Sequence, residues 1–131
     1  MKKTKWTFII AMIILTSFSL YAQKPADMVG IWEGEGTLEG EPEPNVLTLV
    51  LNLEEGKFVG HMSDEFGSMM ESPVKEGNLE EGTFIFTVSV DMGGQSASVK
   101  FTMKVDGESM EGTFEIPDAG MFGAWAATKQ K

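Results

Sequence analysis

Apolar and polar residues alternate along most of the chain after residue 29, with the period of two that places successive side chains on opposite faces of a strand. The clearest case is residues 99–114, where two alternating runs flank Asp106-Gly107. An Asp-Gly pair tolerates the positive φ angles of a tight hairpin. The pattern therefore predicts a β-hairpin with one buried face.

The same alternation recurs elsewhere and predicts eight short strands, over residues 30–38, 46–53, 57–63, 69–76, 83–90, 99–105, 110–115 and 121–129. Turn residues separate them, with Glu55-Gly56 after the second strand, residues 78–82 before the fifth and a Gly-Gly turn over residues 91–95. Pro73 confines the fourth strand to an edge, a bulge or a strand end. Short strands with tight turns and no intervening helix predict an all-β, antiparallel up-and-down meander that forms a small barrel, with the prolines marking where closure can fail.

Strand parity also predicts which side chains point into the barrel. The large inward residues are expected to be Trp32, Phe58, Met62, Phe86, Phe101, Met103 and Trp125. His61 falls on the outward face of its strand, and glycine at inward positions 34 and 36 suits a sheet that bends sharply.

Residues 1–22 have the three-part pattern of a secretory signal peptide: Lys2, Lys3 and Lys5, an apolar run over residues 8–15, and Ala22 at the predicted cut. An uncleaved membrane anchor is the alternative, but the apolar run is shorter than the roughly 20 residues that span a bilayer. Cleavage would leave residues 23–131 as a single domain. We expect that domain to be secreted or periplasmic and free of the membrane.

Charge and cysteine content narrow the possible partners. The chain has no cysteine, which excludes disulfides and attachment as a lipoprotein. After Ala22 there are seven lysines, no arginine and 20 acidic residues, so the formal net charge of residues 23–131 is −13. Such a surface repels phosphate backbones and anionic lipids, so we expect neither nucleic acid nor a membrane surface as a partner.

Gly30-Ile31-Trp32, at the start of the first predicted strand, resembles the Gly-x-Trp opening of the calycin group of lipocalin-like and avidin-like barrels. The acidic-Gly turns and the closing segment, residues 125–129, resemble small secreted β-domains of bacteria that occur alone or appended to hydrolases. The resemblance implies a calycin-like barrel over residues 28–129. The polar residues with which avidin-like proteins hold biotin have no match here, and neither do the disulfides and longer loops of typical lipocalins.

The residues typical of catalysis are scarce. His61 is the only histidine, and no serine lies in a Gly-x-Ser-x-Gly elbow. Adjacent carboxylates such as Glu33 and Glu35 fall on outward faces or in turns, where they discourage edge-to-edge aggregation of the sheet. We therefore expect no enzymatic activity.

Two segments of the chain contain residue types that can bind metal ions. Residues 39–45 hold several oxygen ligands, but they lack the spaced Asp-x-Asp-x-Asp-Gly pattern of a calcium loop. His61-Met62 and Met69-Met70 bracket one loop with soft ligands for Cu(I), although methionine on inward positions more often fills gaps in a core. We expect no metal and no cofactor.

The favoured function is a monomeric, non-enzymatic binding module that holds a small hydrophobic molecule among the seven inward residues given above. An eight-stranded barrel is only just wide enough for its own side chains or one small guest. The alternative is a packed barrel that docks onto a protein or a polysaccharide through loops 39–45, 64–70 and 91–95, with Phe66, Met69, Met70 and Met92 exposed. A hydrolase is the third and least favoured hypothesis.

Overall fold

The computed structural model of the chain describes residues 24–41 and 43–131. The predicted signal peptide, residues 1–22, lies outside the described residues, as does Pro42. The described part folds into strands with two short 3₁₀ helices, Pro25–Met28 and Pro117–Ala119. The strands are β1 (Gly30–Leu38), β2 (Asn45–Glu54), β3 (Lys57–Asp64), β4 (Ser72–Pro73), β5 (Lys75–Glu80), β6 (Thr83–Met92), β7 (Gln95–Asp106), β8 (Ser109–Ile116) and β9 (Met121–Lys129).

All the strands belong to one antiparallel sheet in the order β4-β3-β2-β1-β9-β8-β7-β6-β5. Strands that follow one another in the chain are hydrogen-bonded neighbours, except β4 and β5, and β1 pairs with both β2 and β9. This is an up-and-down meander that curls into a barrel, which confirms the predicted fold class. The curling brings the two edges of the sheet, β4 and β5, back to the same side.

The barrel is not fully closed, and we call the gap between β3, with its short partner β4, and β5 the seam. No backbone ladder joins β5 to β3 in the described part of the chain. Side chains close the gap instead, because Phe58 on β3 lies against Gly77 on β5, where an added Cβ would be 2.9 Å from Phe58 Cβ. Pro73 sits in the edge strand β4, as its missing N–H predicted.

The seam region differs from the sequence prediction. The single strand predicted over residues 69–76 is two strands: β4 has only two residues, and β5 continues to Glu80 through a bulge between Lys75 and Asn78. Residues 78–80 were therefore wrongly predicted to be a turn. The reason is Leu79, which is half-buried and packs against the core, so the polar segment around it is drawn into the sheet.

Turn chemistry explains most of the hairpins. The central pairs Glu55-Gly56, Glu81-Gly82 and Gly93-Gly94 all have positive φ at both residues. This is the type I′ geometry, which matches the right-handed twist of the flanking strands. In the hairpin between β7 and β8, Asp106 pairs with Ser109, so the two-residue loop begins at Gly107, one residue later than predicted.

The core is a single cluster of apolar side chains inside the barrel, and no polar or charged residue is buried in the described part. An aromatic row runs from Phe58 through Phe84 and Phe86 to Phe101, with ring centroids 4.7–5.1 Å apart at successive contacts. Of the seven residues predicted to point inward, Phe58 is half-buried and the other six are at most 1 % exposed. Centroid spacings of this kind are typical of favourable aromatic pairs.

The first 3₁₀ helix closes one end of the barrel, which we call the closed end. Met28 is fully buried there, and its carbonyl oxygen accepts a hydrogen bond of 2.9 Å from Trp32 Nε1. Lys129 Nζ, 5.8 Å from the centroid of the Trp32 ring, donates to the Asp27 carbonyl at 2.7 Å. These contacts tie the first and last strands to the helix. Neither this helix nor any other in residues 24–41 and 43–131 has the length and apolar character to cross a membrane.

Candidate functional site

The opposite end of the barrel holds a cavity of about 420 Å³, which we call the open-end cavity. It lies where β1, β3, β6 and β8 finish and β2, β7 and β9 begin. Its walls are mainly apolar: Leu38, Leu47, Phe66, Met69, Val90, Met92, Val99, Phe101, Phe114 and Ile116. Two larger depressions follow the outward face of the sheet, where the lining is mostly polar or small. The open-end cavity reaches the apolar interior as far as Phe101.

Phe101 forms the boundary between this cavity and the packed core. Its ring stacks on Phe86 with an interplanar angle of 1°, and it also contacts Phe114 and Trp125 at centroid distances of 5.2 and 5.7 Å. The aromatic contacts on its inner side hold Phe101 in place. The cavity therefore has a rigid floor.

Residues 65–71 form one wall of the cavity. Asp64 Oδ1 accepts a hydrogen bond of 2.8 Å from the Met69 backbone N–H, and the Ser68 carbonyl accepts one of 2.9 Å from the Asp91 N–H. The first bond folds the loop back over the barrel, and the second ties it to the end of β6. The loop thus bridges the open end from β3 to β6.

This folding corrects one prediction about the loop. Met69 was expected to be exposed, but it is only 6 % exposed, because the Asp64 contact turns it toward the core. Phe66 and Met70 are exposed, at 61 % and 81 %, and Met92 is at the exposed limit with 36 %. The loop therefore places one apolar side chain inside the barrel and leaves two outside it.

Acidic and amide groups surround the mouth of the cavity. Glu41, Glu43, Asp64 and Asp91 contribute to its lining, and the lining includes no lysine or histidine. Within residues 24–41 and 43–131, the single contact between oppositely charged types is His61 Nε2 to Glu71 Oε1 at 3.8 Å, away from the cavity. No lysine in that part forms an ion pair with the carboxylates of the mouth.

Asn45 has an incomplete set of hydrogen bonds. Its Nδ2 donates to Asp64 Oδ2 at 2.7 Å, while its Oδ1 is buried and has no hydrogen-bond partner. A carboxylate oxygen can only accept, so this contact fixes which end of the amide faces Asp64. The unpartnered acceptor is therefore enclosed by protein atoms.

Most of the residues predicted to line a ligand site do not border the open-end cavity. Among the seven inward residues, Phe101 alone borders the open-end cavity; the others pack in the core or, for Phe58, at the seam. The cavity is lined instead by residues at strand ends, including Leu38, Val99 and Ile116. A meander brings alternate strand ends to one side of a barrel, so topology and parity together could have found this set.

His61 and the metal candidates lie elsewhere. The side chain of His61 is 39 % exposed on the outer face of β3, as its parity predicted. In the described part of the chain, no three His, Cys, Asp or Glu side chains are grouped so that they could hold a metal ion.

No protein-family model matches the chain, and no curated protein or solved structure is significantly similar to it.

Proposed function

We propose that the protein is a secreted, calycin-like, non-enzymatic binding module that holds a small apolar molecule in the open-end cavity. The observation that carries the proposal is an apolar cavity that is open at one end of a barrel whose other end is plugged by Met28. Its volume of about 420 Å³ falls within the range of small-molecule pockets, roughly 300–1,000 Å³. Gly30-Ile31-Trp32 at the start of β1 supports the calycin-like reading.

The chemistry of the cavity favours binding over catalysis. Nucleophilic and acid–base mechanisms need a positioned nucleophile or base with an orienting partner. The described lining contains no histidine or cysteine, and Ser68 is its only serine. Apolar walls on a rigid aromatic floor instead suit a guest that is held unchanged.

Exposed apolar side chains at the mouth support a second candidate, an interaction module. Phe66 and Met70 project from residues 65–71 with most of their surface in solvent. Large apolar side chains grouped on an exposed loop often mark a contact with a partner. In this reading a protein or a polysaccharide docks on the loop.

Titration with the neutral fluorescent probe N-phenyl-1-naphthylamine tests the first candidate. We expect saturable binding of one probe per chain. Leu38→Trp places a large ring at the cavity wall and should weaken binding at least tenfold. Thr37→Trp is the matched control, because the neighbouring side chain points outward and is exposed. Affinity should be read from the titration midpoint, since the new tryptophan also changes intensity.

Two outcomes would overturn the proposal: absence of saturable binding to the wild type, or equal loss of affinity in both tryptophan variants. The interaction module predicts a different result. A Phe66→Ser, Met70→Ser double variant would then lose binding on a panel of proteins and polysaccharides that the wild type recognises. Ile31→Ser, which changes an exposed apolar side chain at the start of β1, away from the mouth, serves as its control.

A further inference from the structure

We infer that the preferred occupant of the open-end cavity is an organic cation with an apolar body, such as an alkylammonium ion. The inference rests on the proposed function and specifies its ligand. Two features of the cavity carry it: apolar walls and carboxylates at the mouth.

The apolar walls of the cavity determine which kind of group can be buried in it. Phe101 forms its floor, and Val99, Phe114 and Ile116 stand beside it. Burial of a hydrocarbon segment against these side chains is favourable in proportion to the area removed from water. An alkyl chain or a single ring therefore fits the inner part of the cavity.

The carboxylates at the mouth determine the charge of the preferred ligand. Glu41, Glu43, Asp64 and Asp91 line it without a neighbouring lysine. Two of these carboxylates are held in place by backbone N–H groups, Asp64 by Met69 at 2.8 Å and Asp91 by Gly94 at 2.9 Å. Fixed charges of one sign in a concave, partly apolar mouth attract a ligand of the opposite sign and repel an anion.

Competition titrations against N-phenyl-1-naphthylamine separate these contributions with ligands of one chain length. We expect octylamine, as its ammonium ion, to bind at least tenfold more tightly than octanol, and octanoate to bind least. The advantage of octylamine over octanol should shrink several-fold between 20 mM and 500 mM NaCl, because salt screens exposed charges. Octyltrimethylammonium, which carries the same charge, should also bind more tightly than octanol.

Two double variants test whether the preference for a cation comes from the carboxylates at the mouth. Glu41→Gln with Glu43→Gln removes two exposed carboxylates from the mouth and should weaken octylamine at least threefold while leaving octanol unchanged. Glu33→Gln with Glu35→Gln makes the same change on the outer face of β1 and should leave both affinities within twofold.

The outcomes distinguish this inference from the proposed function. If neither the neutral probe nor octanol binds, the proposed function fails and the inference fails with it. If octanol binds as tightly as octylamine, the binding module stands and the cationic ligand is wrong. Equal loss of octylamine affinity in both glutamate pairs would assign the preference to overall charge and overturn the role of the mouth.

Discussion

Gly34 lies inside the barrel at a point where β1 and β9 come unusually close, and replacing it with alanine should be severely destabilising. An added Cβ would overlap the Ala126 carbonyl oxygen and would lie 2.8 Å from both the Ala126 carbonyl carbon and the Ala127 Cα. The Gly34 carbonyl oxygen also accepts a hydrogen bond of 3.0 Å from Trp125 Nε1. Any displacement of β1 from β9 therefore disturbs a core tryptophan as well.

The magnitude follows from these two contacts. Carbon atoms pack at about 3.5–4.0 Å, so the strands would have to separate locally by at least about 1 Å. Overpacking of this kind costs about 1–3 kcal/mol, and loss of a buried hydrogen bond costs about 1–3 kcal/mol more. We therefore expect Gly34→Ala to lower the free energy of unfolding by about 2–6 kcal/mol, a large part of the roughly 5–15 kcal/mol of a typical domain.

Gly36→Ala is the matched control on the same strand and the same face. Its added Cβ would meet the Leu47 Cδ1 methyl at 3.0 Å and Trp125 Cδ1 at 3.5 Å. The methyl can move by rotation of its side chain, and alanine restricts the unfolded chain, which favours folding by about 0.4–1 kcal/mol. We expect Gly36→Ala to stay within about 1 kcal/mol of the wild type.

Urea unfolding, followed by tryptophan fluorescence and by circular dichroism, measures both variants. For a small domain the dependence on urea is about 1–3 kcal/mol per molar, so a loss of 3 kcal/mol moves the midpoint by about 1–3 M. If Gly34→Ala unfolds within about 1 kcal/mol of Gly36→Ala, β1 and β9 do not approach as described. The steric argument for a glycine at this position would then be wrong.

Three further predictions concern other parts of the barrel. Lys129→Met keeps most of the stem but removes the ammonium that donates to the first 3₁₀ helix, so unfolding by urea should show a loss of about 1 kcal/mol and hydrogen exchange in that helix should be faster. Glu76→Gly relieves a φ of +53° and should raise stability by about 0.5–1 kcal/mol, whereas Glu80→Gly, in the same strand, should lower it by a similar amount. Met69→Ala should cost about 2 kcal/mol in thermal or urea unfolding, and Met70→Ala should stay within about 0.5 kcal/mol of the wild type.

Each of these three predictions would be contradicted by a specific result. Unchanged exchange in the helix of Lys129→Met would show that the ammonium does not hold the closed end. Equal stability of the two glutamate-to-glycine variants would mean that Glu76 carries no backbone strain. Equal effects of the two methionine variants would place Met69 in solvent and remove the loop from the cavity wall.

Local pattern was sufficient to predict most of the sheet. Alternation in residues 30–38 and 121–129 set the bounds of β1 and β9, and parity placed Trp32 and Trp125 inside. The acidic-Gly pairs located two of the hairpins because type I′ turns require positive φ at both central residues. These features depend on neighbours in sequence, which a single chain displays directly.

Features that depend on distant contacts were missed. Residues 78–80 look like a turn because Asn78 and Glu80 are polar, and the packing of Leu79 against the core draws them into the sheet. Met69 looks like an exposed loop residue until Asp64 folds the loop inward. The open-end cavity is likewise assembled from side chains that lie far apart in the chain, such as Leu38 and Ile116, so no single segment reveals it.

The seam has a consequence for how widely the open end can spread. In a barrel whose ladder runs all the way round, the circumference is fixed by the register of the hydrogen bonds. Here no ladder joins β3 to β5. The ring is completed by the contact of Phe58 with Gly77 and by single backbone hydrogen bonds of 2.9 Å, from the Val74 N–H to the Gly60 carbonyl and from the Asp91 N–H to the Ser68 carbonyl. Widening the open end at the seam therefore disturbs a few isolated contacts rather than a continuous ladder.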